Sequence, residues 1–122
     1  MKALYLYVNA ALYLLFAIWC TFGMARTAPA MGFTVLASGG RSEYLAIYGG
    51  LQLGLAVGFG LLARNASWHE EGILFALVLY APIVAFRMFS LIRFWPVGGV
   101  TLATAALELA MLVTAAWLYA AR

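Results

Sequence analysis

Four long apolar stretches run along the chain, separated by short breaks marked by charge, glycine or proline. They cover approximately residues 4–25, 44–63, 73–91 and 98–119. A bilayer-spanning helix needs about 20 mostly apolar residues, and each stretch is of that order. None shows the ten-residue alternation of a membrane β-strand. The pattern predicts an all-α, integral membrane four-helix bundle with antiparallel up-down topology, built as a single transmembrane domain over residues 1–122.

The breaks have a readable grammar. Arg26-Thr27-Ala28-Pro29 is expected to stop the first span, because proline removes a ladder donor. The loop that follows carries Met31, Phe33, Val35 and Leu36, too apolar to stand in water, so it should lie at the interface or pack back onto the bundle. Ser38-Gly39-Gly40 is expected to turn the chain into the second span. Ser67-Trp68-His69-Glu70 matches a capping box, with Ser67 as N-cap and Glu70 reaching back. Glu70 and Glu71 also suit a positive helix start, and His69 reads as a solvated residue there. Pro96 with Gly98-Gly99 predicts a tight hairpin between the third and fourth spans. Lys2 and Ala28-Pro29-Ala30 loosely mimic a cleavable leader. The first stretch is longer than a leader's apolar core and contains Asn9, Tyr13 and Trp19, so it is expected to remain as a span.

Composition sharpens this picture. Apolar residues make up 67% of the chain and charged residues 9%, against roughly 45–50% and about 25% in soluble domains. A chain of 122 residues has too little interior to hide that much apolar surface from water. The net charge of +3 comes from seven scattered cations, Lys2, Arg26, Arg41, Arg64, Arg87, Arg93 and Arg122. Nucleic-acid binding requires a clustered basic face, so no nucleic-acid partner is expected. Most of these cations read as span flanks. Their near-equal division between the two sides leaves orientation open. A cytoplasmic N-terminus is slightly favoured if Arg41 and Arg87 belong to a site. With one Cys, one His and no Asp, neither an intrachain disulfide nor a metal cage is expected, and no cofactor is indicated.

In such a chain the informative residues are polar groups at membrane depth. Glu108 lies about ten residues into the fourth span, hence roughly 15 Å from its start. Arg87 lies about seven residues before the hairpin, roughly 10 Å deep. The hairpin makes their helices neighbours, so the two side chains are expected to pair, since an unpaired ion there is costly. Tyr44, Tyr48 and Gln52 recur at i, i+4 and i+8 on one helical face, with Arg41, Ser42 and Glu43 just above them. Tyr80, Arg87 and Ser90 share a face of the third span, and Thr101, Thr104 and Glu108 one of the fourth. The candidate ligand-binding set is therefore Arg41, Glu43, Tyr48, Gln52, Arg87 and Glu108, in a pocket covered by the first loop. Asn9, on a face with Tyr5 and Tyr13, is expected to make a separate contact. Each group also has a plainer role: the Arg–Glu pair fixing register, Asn9 and Gln52 joining helices, and the tyrosines and Trp19, Trp68, Trp95 and Trp117 forming interfacial belts.

Gly50, Gly54 and Gly58 form a small-xxx-small stripe, flanked by Gly49 and Gly60, that lets another helix approach closely. Internal packing against the first or fourth span, with Ala103, Ala106 and Ala110 facing it, is preferred over a homo-oligomer seam. Pro82 should kink the third span.

Gly40-Arg41-Ser42-Glu43, Tyr48-Gly49-Gly50-Leu51-Gln52-Leu53-Gly54-Leu55, Arg87 with Ser90, and Leu107-Glu108-Leu109 together resemble a family of small bacterial four-helix inner-membrane proteins grouped as a domain of unknown function. The resemblance covers nearly the whole chain. It implies an inner-membrane location and puts Arg41, Glu43, Gln52, Arg87 and Glu108 at family-pattern positions. It implies no activity. In layout the chain is also similar to DoxX-like four-helix proteins, some of which are linked to quinone-coupled redox chemistry.

Three functional classes remain open. The first is binding of a small amphipathic or anionic ligand such as a lipid, an isoprenoid or quinone, or a carboxylate. The second is an accessory or assembly subunit of a larger membrane complex, with a structural Arg–Glu cluster. The third is a small enzyme or proton-coupled transporter using Glu108. Catalysis ranks below binding, because the sequence offers no nucleophile–base pair, metal set or phosphate loop.

Overall fold

The computed structural model describes residues 1–34 and 37–121. The expectations for Val35, Leu36 and Arg122 fall outside the described residues. The first span is α1, Lys2–Phe22, and a short helix α2 follows over Met24–Ala30. The second span runs over Ser38–Arg64. It comprises α3 (Ser38–Tyr44), a π-helical segment (Leu45–Leu51) and α4 (Gln52–Arg64). The third span, Ala66–Phe94, opens with a 3-10 turn and continues as α5, His69–Phe94. The fourth is α6, Gly99–Ala120. All four are long and apolar enough to cross a membrane, so the chain is an all-α, multi-pass membrane protein with antiparallel helix contacts.

Several boundaries differ from those the sequence predicts. The first span ends at Gly23, whose N–H bonds the Trp19 carbonyl at 2.8 Å. A Cβ on Gly23 would stand 2.8 Å from that oxygen, so a glycine is needed there. Pro29 lies inside α2 instead of ending α1. Its position near the end of a short helix leaves few ladder bonds to lose. Ser38, Gly39 and Gly40 are the first turn of α3, so the second span begins well before Tyr44. The predicted Ser67 capping box is replaced by an Asn65 cap. The Asn65 side-chain oxygen accepts from the Ser67 amide at 3.2 Å and the Ser67 hydroxyl at 2.7 Å. Glu70 is bonded by Lys2. His69 is half-buried, and as its Nε2–H tautomer it donates to the Ala63 carbonyl at 3.0 Å. It therefore satisfies a carbonyl at the end of α4 that the helix leaves free. Helix α5 runs through Pro82 without a break.

The spans pack as two pairs. The second lies along α1, and α6 lies along α5, with α1 and α4 both touching α5. The dry core lies at the end where α1 starts and α6 finishes. It includes Leu6, Phe59, Ile73 and Ala115, all fully buried. Gly72 permits this packing, since a Cβ there would lie 2.8 Å from Leu6 Cδ1. The expected role of the glycine stripe is not met: nothing lies within 4 Å of a Cβ built on Gly54 or Gly58, and Gly50 meets only its own helix's Leu45 carbonyl. The close approach to α1 falls instead on Gly49, where a Cβ would stand 2.7 Å from Thr21 Oγ1.

Candidate functional site

The opposite half of the bundle is hollow. A cavity of about 360 Å³ lies among all four spans and under the α2 segment, within the range of roughly 300–1,000 Å³ usual for small-molecule sites. Its charged residues are Arg87 and Glu108. Arg87 Nε donates to Glu108 Oε2, and Nη2 to Oε1, both at 2.8 Å. The side chains retain 29% and 15% exposure respectively. This is the two-pronged geometry that a planar guanidinium offers a carboxylate. It leaves Nη1 without a hydrogen-bond partner among the described residues.

Tyr48 and Gln52 line the same cavity. The Gln52 side chain makes no hydrogen bond within the described residues, so its side-chain amide is available to an occupant as both donor and acceptor. Thr101 and Thr104 line it from α6, with the Thr104 hydroxyl bonded back to the Val100 carbonyl at 2.9 Å. Four of the six predicted residues, Tyr48, Gln52, Arg87 and Glu108, are thus brought together. Arg41 and Glu43 are not. Both are exposed on α3 and neither lines the cavity. The helix is continuous from Ser38, so Arg41 stands roughly 10 Å along the axis from Tyr48.

The first loop covers the cavity as expected, through a helix that the sequence did not announce. Thr27 and Ala28 of α2 are buried. The Thr27 hydroxyl bonds the Gly23 carbonyl at 3.1 Å and lies 2.7 Å from Tyr44 Oη, a pair in which either hydroxyl can donate. Met31 Sδ lies 3.9 Å from the same phenol. Tyr44 stacks on Tyr48 at 4.6 Å, and Phe33 meets both rings edge-on. The π segment places Tyr48 in the cavity wall and its neighbour Gly49 against α1. Such segments mark functional sites more often than chance.

Two groups were assigned elsewhere by sequence. Trp19 lines the cavity in addition to being half exposed. Tyr13 lines it too, beside Tyr80 and Glu108 in the lining. The Asn9 contact therefore adjoins the cavity: Tyr80 Oη donates to Asn9 Oδ1 at 2.7 Å, and Asn9 Nδ2 donates to the Tyr5 carbonyl at 2.9 Å. Tyr5 Oη in turn donates to the Met111 carbonyl at 2.9 Å. The i, i+4 spacing from Asn9 to Tyr13 was the available signal. Ser90 turns away to the Arg87 carbonyl at 2.9 Å.

No protein-family model, curated protein or solved structure matches the chain.

Proposed function

We propose that this protein binds a small amphipathic molecule within the membrane, holding its head group beside Arg87, Gln52 and Tyr48 and its apolar part among the four spans. A lipid, an isoprenoid or quinone, or a carboxylated metabolite all meet that general description. A bacterial inner membrane is the proposed location, in keeping with the resemblance of the Gly-Arg-Ser-Glu and Tyr-Gly-Gly-Leu-Gln-Leu-Gly segments. The observation that supports this reading is the cavity itself: about 360 Å³, mostly apolar, with an unbonded Gln52 amide and a guanidinium held at one wall.

The test is native mass spectrometry of protein extracted in mild detergent. Wild type should retain a small amphiphile. Thr104→Phe, which fills the cavity, should lose it, and Leu109→Phe, at an exposed position, should keep it. Protein that carries no such molecule, and whose melting midpoint ignores added amphiphiles, overturns the proposal.

One observation favours a second reading. The open faces of Gly54 and Gly58 would let Gly50, Gly54 and Gly58 seat a helix of another subunit, making this an accessory protein of a larger complex or a homo-oligomer. Crosslinking from Gly58→Cys in native membranes separates this from a monomeric binder.

A further inference from the structure

The cavity holds one cation and one anion, and they are already bonded to each other. The other arginines near this end, Arg26, Arg41 and Arg93, are exposed and do not line it. The site is therefore electrically neutral before anything enters. An anionic head, whether it takes the free Nη1–H groups or draws Arg87 away from Glu108, gives the site a net negative charge. A cationic head drawn to Glu108 gives it a net positive one. A net charge at membrane depth is expensive. An uncharged head brings none. It can accept from the free Nη1–H groups of Arg87 and bond the oxygen or the NH2 of the Gln52 side-chain amide while the ion pair stays intact.

We infer that the occupant of this cavity is an uncharged amphiphile, with a carbonyl or hydroxyl head, and that the Arg87–Glu108 pair selects against charged heads. This inference rests on the binding function proposed above, and it removes the carboxylate from the ligand classes considered there. It assigns the pair a specificity role: Arg87 supplies hydrogen bonds as a neutralised donor and does not serve as a counter-charge.

The experiment compares three probes with the same chain, hexadecanol, hexadecane sulfonate and hexadecylamine, by native mass spectrometry of the full-length protein in a zwitterionic detergent. Wild type should bind the alcohol about tenfold or more tighter than either charged probe. Glu108→Gln leaves an uncompensated guanidinium and should move the preference to the sulfonate. Arg87→Gln leaves a carboxylate and should move it to the amine. The double variant Arg87→Gln/Glu108→Gln is neutral again and should return to the alcohol, so the ranking can be read even where one single variant folds poorly. Circular dichroism reports helix content for each. A wild type that binds the sulfonate or the amine as tightly as the alcohol overturns the charge-selection inference and leaves the binding function standing. A wild type that binds none of the three overturns both.

Discussion

Arg87 and Glu108 meet edge to edge across the α5–α6 seam, each carboxylate oxygen taking its own N–H at 2.8 Å. Two parallel bonds constrain more than separation. They fix how far α5 is rotated toward α6 and how the helices are offset along their axes. The hairpin at Pro96–Gly99 limits the same offset from the membrane surface. Hairpin and ion pair therefore agree on one register for the cavity wall between them.

Removing one partner should destabilise the bundle more than removing both. Breaking a buried pair costs about 3–5 kcal/mol, whereas an apolar replacement of the whole pair is often neutral. Arg87 keeps 29% exposure, so the expected cost of Arg87→Ala or Glu108→Ala lies below that range, about 2 kcal/mol. Arg87→Met/Glu108→Leu should cost less than the sum of Arg87→Met and Glu108→Leu, by an interaction energy of about 1–3 kcal/mol. Reversible unfolding in mixed detergent micelles measures the cycle, and an additive result would remove the pair from the account of stability.

That pair was legible in the sequence because two quantities fixed it: depth along a helix of known rise, and a hairpin forcing adjacency. The same reasoning failed for Arg41 and Glu43. It placed them by membrane level alone, and a continuous helix from Ser38 sets them beyond the cavity's end. The four spans were legible because lipid demands uninterrupted apolar length. Their exact ends were not. Gly23 ends α1 with its N–H on the Trp19 carbonyl and leaves no room for a Cβ beside that oxygen, a steric fact that the hydrophobic pattern does not carry. The π segment over Leu45–Leu51 likewise leaves the hydrophobic pattern unchanged. The glycines show the limit most clearly. A regular stripe suggested Gly50, Gly54 and Gly58 as the contact, yet Gly49 and Gly72 make the close approaches. Spacing reveals where a helix is smooth, and only the neighbouring side chains decide which smooth place is used.

Asn9 is fully buried and joins α1 to α5 through Tyr80. Asn9→Leu should strand the Tyr80 hydroxyl and destabilise the protein by about 0.6–1.7 kcal/mol, from the average to the largest value for hydrogen bonds between membrane helices. Adding Tyr80→Phe to Asn9→Leu should recover part of that loss, because the stranded donor is gone. The melting midpoints of the two variants, compared with wild type, check the order. A double variant less stable than Asn9→Leu alone would mean that Tyr80 is held by packing and not by this bond.

The glycine contacts separate by what surrounds them. Gly72→Ala would press a methyl group against Leu6, which is fully buried and has nowhere to move, so a loss of about 1–3 kcal/mol is expected. Gly49→Ala meets the Thr21 hydroxyl, and Thr21 is exposed, so a smaller loss is expected, relieved by Thr21→Ala. Gly58→Ala meets nothing and should leave the monomer's stability unchanged or raised, as alanine favours helix over glycine. A midpoint lowered by Gly58→Ala only at high protein-to-detergent ratio would identify that face as an interface between subunits.

The cover over the cavity depends on a small number of contacts that can be removed one at a time. Tyr44 hydrogen-bonds Thr27, stacks on Tyr48 and meets Phe33 in a T-shaped contact. Tyr44→Phe removes the first of these, together with the weak contact to Met31 Sδ, and the Thr27 hydroxyl keeps its bond to the Gly23 carbonyl. The net loss should be about 1 kcal/mol, as for one neutral hydrogen bond. Because the bond ties α2 to the second span and crosses no other seam, the loss should appear as local opening and leave global unfolding nearly untouched. Amide exchange across residues 24–34 should accelerate about fivefold, with exchange in α5 unchanged. Phe33→Ala, which removes two ring contacts, should accelerate it further. A bound amphiphile should slow exchange of the same residues in wild type, since the cover lines the cavity through Thr27, Met31 and Phe33. Equal exchange in wild type and Tyr44→Phe would show that the rings alone hold the cover shut.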